Sequence, residues 1–157
     1  MHKQNGENVL KYLQSGGVDT TYRTYKNLYL YGALFDGSAA MVYENMPKSD
    51  PYTIRHFLNS LFGAGLMIFT GLLARQLSRS WLVAFLAMLL TVLSPRIFGD
   101  SMNNPKDIPF ALAYVMSILG IIRFNSFLPK WNWKAAIFLG LSMSMALNIR
   151  VGGLLLM

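Results

Sequence analysis

A chain of 157 residues that is 54% hydrophobic and only 13% charged is more apolar than an ordinary soluble domain of its size, and its mean hydropathy of +0.36 agrees. The net charge of +7 does not indicate nucleic acid, because the 14 basic residues punctuate apolar segments instead of forming a continuous stripe. Cysteine is absent, which excludes a disulfide framework or a thiolate metal site, and His2 and His56 are too few for a histidine-based one.

The first residues, MHKQNGENVLKYL, lack the apolar core of a secretory signal. A short helix is expected over residues 7–13, broken by Gly16-Gly17. The tyrosine-rich run that follows does not alternate as a strand would, whereas Tyr25, Leu28, Tyr29 and Gly32 keep helical spacing. This predicts an interfacial helix with its tyrosine rings at headgroup depth. Leu34-Phe35-Asp36-Gly37 and Met46-Pro47-Lys48-Ser49-Asp50-Pro51 are expected to be turns.

Apolar stretches come next, at 57–74, 81–94, 108–122 and 135–147 with a continuation to 157. About 20 apolar residues cross the ~30 Å of hydrocarbon in a bilayer, so the first is long enough and the middle two are short. Their succession, joined by short basic links, fits adjacent membrane helices better than one small soluble core, because backbone groups in lipid must satisfy one another within helices. The expected fold is all-α, a polytopic transmembrane bundle of four helices at about 55–75, 81–97, 107–123 and 134–157. Residues 1–54 would form an external, partly helical loop.

Orientation follows from the links. Those at 75–80 and 123–134 carry five bases and no acid, the pattern of cytoplasmic loops, and Trp131 and Trp133 beside Lys130 and Lys134 look like an interfacial belt. The link at 95–107, with two acids and two bases, then faces outside, as does 1–54. An external segment of that length without a signal needs a membrane helix before it. The sequence is therefore expected to be a piece of a longer protein, interrupted also at Met157 within an apolar run.

Chemistry concentrates at 94–110, where Arg96, Asp100, Asn103, Asn104, Lys106 and Asp107 share a loop shaped by Pro95, Gly99, Pro105 and Pro109. Such a loop offers cations to phosphate oxygens and carboxylates to a hydroxyl or a metal ion. The plainer reading is that Asp107 only caps the third helix, with Pro109 in its first turn. Arg150 lies in apolar surroundings, where a charge costs at least ~2.5 kcal/mol unless it snorkels or is paired. With Arg55, Arg96 and Lys106 on the same face it would make an anion site at headgroup level; ordinary snorkelling explains any one of them alone.

These residues carry a family resemblance. Ser94-Pro95-Arg96-Ile97-Phe98-Gly99 followed by Asn104-Pro105-Lys106-Asp107-Ile108-Pro109-Phe110 resembles the second external loop of bacterial family 39-type glycosyltransferases, relatives of dolichyl-phosphate-mannose protein mannosyltransferases and of the aminoarabinose transferases of lipid A. Arg55-His56-Phe57-Leu58-Asn59, Ala74-Arg75-Gln76-Leu77 and Asn148-Ile149-Arg150-Val151-Gly152-Gly153 are similar to further family segments.

The resemblance implies a GT-C architecture with a sugar on a polyprenyl phosphate as donor, a lipid, protein or glycan as acceptor, and transfer with inversion. The site would lie on the non-cytoplasmic face of a multi-pass protein of the inner (plasma) membrane. In the family an Asp or Asp-Glu pair just after the first membrane helix supplies the base; no such pair precedes Gly6-Glu7-Asn8 here, so the fragment is expected to be inactive. The resemblance makes Asp107 the second-loop acid, with Asp100 and Asp36 weaker candidates. Lys106, Arg96 and Arg150 become candidate phosphate contacts, with Arg55 and Asn104 beside them. Metal use varies in the family, so a divalent ion stays open. The rival readings are a transporter or flippase subunit, which needs acids at midplane depth, and a non-catalytic membrane scaffold.

Overall fold

The computed structural model describes residues 2–24, 33–46 and 50–156. In chain order these form α1 (His2–Gln14), α2 (Thr21–Thr24), α3 (Leu34–Asn45), α4 (Pro51–Ser78), α5 (Trp81–Leu93), α6 (Pro95–Asn103), α7 (Asp107–Phe127), α8 (Trp133–Ile149) and a 3-10 segment (Val151–Leu156). Among the described residues there is no strand, and the fold is all-α as expected.

The N-terminal part is more helical than its composition indicates. α1 ends where Gly16 and Gly17 take φ of 65° and 92°, a region open to glycine. The turn expected at Leu34-Phe35-Asp36-Gly37 is instead the opening of α3. Phe35 and Asp36 are buried there, and that tertiary burial overrides the turn preference of Asp-Gly. The Tyr43 hydroxyl donates to the Pro51 carbonyl and ties α3 to the start of α4. Burial pushes the Tyr43 phenol above its usual pKa. The tyrosine-rich helix expected around 25–32, and residues 47–49 of the second expected turn, lie outside the described residues.

α4 begins before the expected position 55 because the Asp50 carboxylate accepts from the Thr53 amide at 3.1 Å and Pro51 suits the first helical turn. It runs for 28 residues, and α7 for 21; by length and composition these two can cross a membrane. The helix expected over 81–97 is broken. Pro95 has no N–H to donate and pushes Ser94 into an extended conformation, φ −69° and ψ 111°, so α5 stops at Leu93 and α6 leaves it at 67°. The pair makes a third crossing if it acts as one bent span. Residues 95–103, expected as loop, are therefore helical. The helix expected over 134–157 also stops early: Arg150 is extended, and Gly152-Gly153, each about 1 kcal/mol poorer in a helix than alanine, fall in the 3-10 segment.

α4 and α7 run side by side in the same direction, and α5 and α8 return against them. Leu66, Ile108 and Leu112 form the core between α4 and α7, and Ala113, Ala146 and Ile149 join α7 to α8. α5 buries only Ala84 and exposes Leu82, Phe85, Leu86, Leu90 and Leu93. An outer face this apolar belongs in lipid.

The close seat of α6 on α4 depends on one missing side chain. A Cβ on Gly63 would stand 2.6 Å from the Cβ and the Oγ of Ser101, well inside contact distance. Gly63→Ala is therefore expected to force the helices apart and cost about 1–3 kcal/mol. Thermal unfolding in detergent checks this, and an unchanged midpoint would mean that α6 is not held at this position.

Candidate active site

The first turns of α4 place Tyr52, Arg55, His56 and Asn59 at helical spacing on one face. Facing them are the end of α6 and the link to α7. Together these four residues and Met102, Asn103, Asn104, Pro105 and Lys106 line an open cleft of ≈ 460 Å³. Asn59 holds the two walls together, since its Nδ2 donates to the carbonyls of Asp100 at 2.9 Å and Ser101 at 3.0 Å. Only 1% of Asn59 is exposed. Its Oδ1 is buried without a hydrogen-bond partner among the described residues. An unmet buried acceptor costs about 1–3 kcal/mol.

Arg55 joins this cleft to the N-terminal helices. Its Nη2 lies 2.6 Å from Oδ1 of Asp36, with both side chains largely buried, and Asn5 Nδ2 donates to the other Asp36 oxygen at 2.9 Å. The Phe35 ring stacks near the guanidinium, 5.2 Å from Cζ. Arg55 Nη1 has no hydrogen-bond partner among the described residues. The residue thus has one arm anchored and one donor nitrogen unused.

The link between α6 and α7 is held by Asn104. Its Oδ1 accepts from the amides of Lys106 at 3.3 Å and Asp107 at 3.0 Å, and its Nδ2 donates to Asp107 Oδ2 at 2.7 Å. Asn104 therefore does the capping that the plainer reading assigned to Asp107; no side chain at the N-cap of α7 does so. That leaves the Asp107 carboxylate available for Arg150, whose Nη1 stands 2.8 Å from Oδ1. The contact lacks hydrogen-bond alignment, and the two side chains are 43% and 48% exposed, so the pair is worth only about 0–1 kcal/mol.

The sequence-expected residues therefore divide. Arg55, Asn104 and Lys106 line one cleft. Asp107 and Arg150 pair beside it, through Asn104. Arg96 and Asp100 pair with each other along α6 at 3.8 Å, and Arg96 is 91% exposed and does not line the cleft. Sequence reasoning missed Tyr52, His56 and Asn59 as lining residues, although positions 52, 55, 56 and 59 already show a polar stripe at helical spacing on an otherwise apolar helix. It also missed Asp36 as the partner of Arg55, for which no local signal exists. Among the described residues no three His, Asp or Glu side chains come together in a way that could hold a metal ion. The divalent ion left open by the sequence has no such ligand set among the described residues.

A protein-family model described as dolichyl-phosphate-mannose-protein mannosyltransferase matches residues 25–157. No curated protein and no solved structure matches the chain.

Proposed function

The chain belongs to the dolichyl-phosphate-mannose-protein mannosyltransferase family, a membrane glycosyltransferase by that membership and multi-pass by its apolar helices, and on this basis we propose that the cleft between α4 and α6 receives a sugar carried on a polyprenyl phosphate. One observation carries the reading: cationic Arg55 and Lys106, from elements 51 positions apart, line the same cleft as the buried amide of Asn59. Cations suit the phosphate, and Asn59 fixes the two walls that present them through its bonds to the Asp100 and Ser101 carbonyls.

The transfer would proceed with inversion at the outer membrane face. The acceptor hydroxyl attacks the anomeric carbon, its proton passes to a carboxylate, and the bond from that carbon to the phosphate oxygen breaks. Polyprenyl phosphate leaves with the electron pair. Negative charge grows on the leaving phosphate, so cations there stabilise the transition state more than the bound donor. The weak Arg150 to Asp107 pair matters at this step. An arriving phosphate can draw Arg150 away at little cost, which frees the Asp107 carboxylate to take the proton. Asp36 is a poorer base because it is buried and held by Arg55 and Asn5. The acceptor is a protein, lipid or glycan hydroxyl.

Mannosyl transfer from polyprenyl-phosphate mannose, measured in proteoliposomes containing the protein, tests the proposal. Lys106→Ala is expected to lower kcat/KM about 10- to 100-fold, the range for losing a hydrogen bond to a charged group. A kcat/KM equal to that of the unaltered chain would remove the phosphate from this cleft.

A further inference from the structure

The opposite end of the bundle carries a second concentration of charge that sugar transfer does not use. α4 gives way to α5 there, and α7 to α8, so that Arg75, Arg79, Arg123, Lys130 and Lys134 gather at one end. No acid accompanies them, since the two acids after Asp50, Asp100 and Asp107, lie at the other end of the bundle. Helix dipoles do not neutralise this charge. The C-termini of α4 and α7, about half a negative charge each, are offset by the N-termini of α5 and α8, about half a positive charge each. A counter-ion must come from outside the chain.

The geometry provides a place for it. A cleft of ≈ 340 Å³ is lined by Leu72, Arg75, Gln76, Arg79 and Arg123. A second of ≈ 490 Å³ shares Gln76 and Arg123 with it and adds Ser126, Asn132 and Lys134, with Phe127 and Phe138 as apolar walls. Arg75 is held in position by the Trp81 ring, 3.3 Å from its Cζ to the ring centroid. Arg79 adopts φ 57°, a left-handed conformation in which glycine would be the relaxed residue. Depth is set by the tryptophans: Trp81, Trp131 and Trp133 are the three in the sequence, all are at this end and all are exposed. Tryptophan collects at the level of lipid headgroups.

The geometry points to a binding site for the phosphate of an anionic phospholipid, in the leaflet opposite the transfer cleft, with Arg75, Arg79 and Arg123 as its contacts and Lys134 alongside. A lipid is favoured over a free anion because the basic cleft opens at headgroup depth and the Phe127 and Phe138 walls of the adjoining cleft suit acyl chains. Gln76 and Arg123, which line both clefts, make a single headgroup able to bridge α4 and α7.

Native mass spectrometry of the full chain in non-ionic detergent tests this with phosphatidylglycerol, phosphatidylcholine and inorganic phosphate as probes. Phosphatidylglycerol adducts are expected to survive at energies that strip phosphatidylcholine, and excess inorganic phosphate is expected to leave them in place. Each cation near an anionic headgroup is worth a factor of about five. Arg123→Gln should therefore weaken phosphatidylglycerol about fivefold, and Arg75→Gln with Arg123→Gln about 25-fold. Arg79→Gly relaxes the backbone at φ 57°, so it should weaken the lipid about fivefold without lowering the thermal midpoint. Equal retention of the two lipids, undiminished phosphatidylglycerol binding in Arg79→Gly and the double variant, or displacement by inorganic phosphate would each overturn the proposal. These readouts involve no donor or transfer assay, so their result stands apart from that of the cleft between α4 and α6.

Discussion

Replacing Asp36 with alanine is expected to destabilise the protein by about 3–5 kcal/mol, the usual consequence of removing one member of a buried ion pair. Asp36 is 7% exposed, and Arg55 reaches it from α4 while the Asn5 amide reaches it from α1. Alanine would leave a guanidinium facing an apolar gap beside Phe35 and deprive the Asn5 Nδ2 of its acceptor. The cost comes from the stranded partner more than from the lost attraction, so the double variant Asp36→Ala with Arg55→Met should recover much of it. Unfolding of the single and double variants in detergent closes the cycle. A single-variant cost below about 1 kcal/mol would show that the pair is solvated and that α3 is not anchored to α4 through it.

Asp107→Asn is expected to separate stability from activity. The asparagine oxygen can still accept from Asn104 Nδ2, and losing a half-exposed partner of Arg150 costs no more than about 1 kcal/mol, so the thermal midpoint should barely move. Transfer should fall by about 10²–10⁴ in kcat, because an amide cannot take the acceptor proton. The variant in proteoliposomes, polyprenyl-phosphate mannose and an acceptor of each class provide the measurement. If kcat is retained and only KM rises, Asp107 orients Arg150 and Asn104 and takes no proton.

The two substitutions show where sequence reading succeeds and where it stops. The apolar runs were readable as helices because a backbone surrounded by apolar side chains must satisfy its own hydrogen bonds, which is a local requirement. Gly16-Gly17 as a helix end is also local chemistry, whereas Asp50-Pro51, expected as part of a turn, proved to be the helix start. Pro95 and Gly152-Gly153 stood in plain view, yet continuous hydropathy outweighed them in the expectation, and both interrupt the helices. Arg96 shows the limit for the site. It shares a loop with Asn104 and Lys106 in the sequence, but the helical twist of α6 turns it toward Asp100 and away from the cleft.

The pairing of charges needed the tertiary structure. Asp36 lies 31 positions from Asn5 and 19 from Arg55, and no period or spacing connects them. Asp107 meets Arg150 only because α8 runs back along α7 to the same end of the bundle. By itself the sequence determined that this is a helical membrane chain with its acids and its uncompensated bases at separate ends, because hydropathy and charge act residue by residue. Which cation faces a carboxylate and which lines a cleft was decided by the packing of α4, α6 and α7, since Coulomb attraction depends on distance through space and not along the chain.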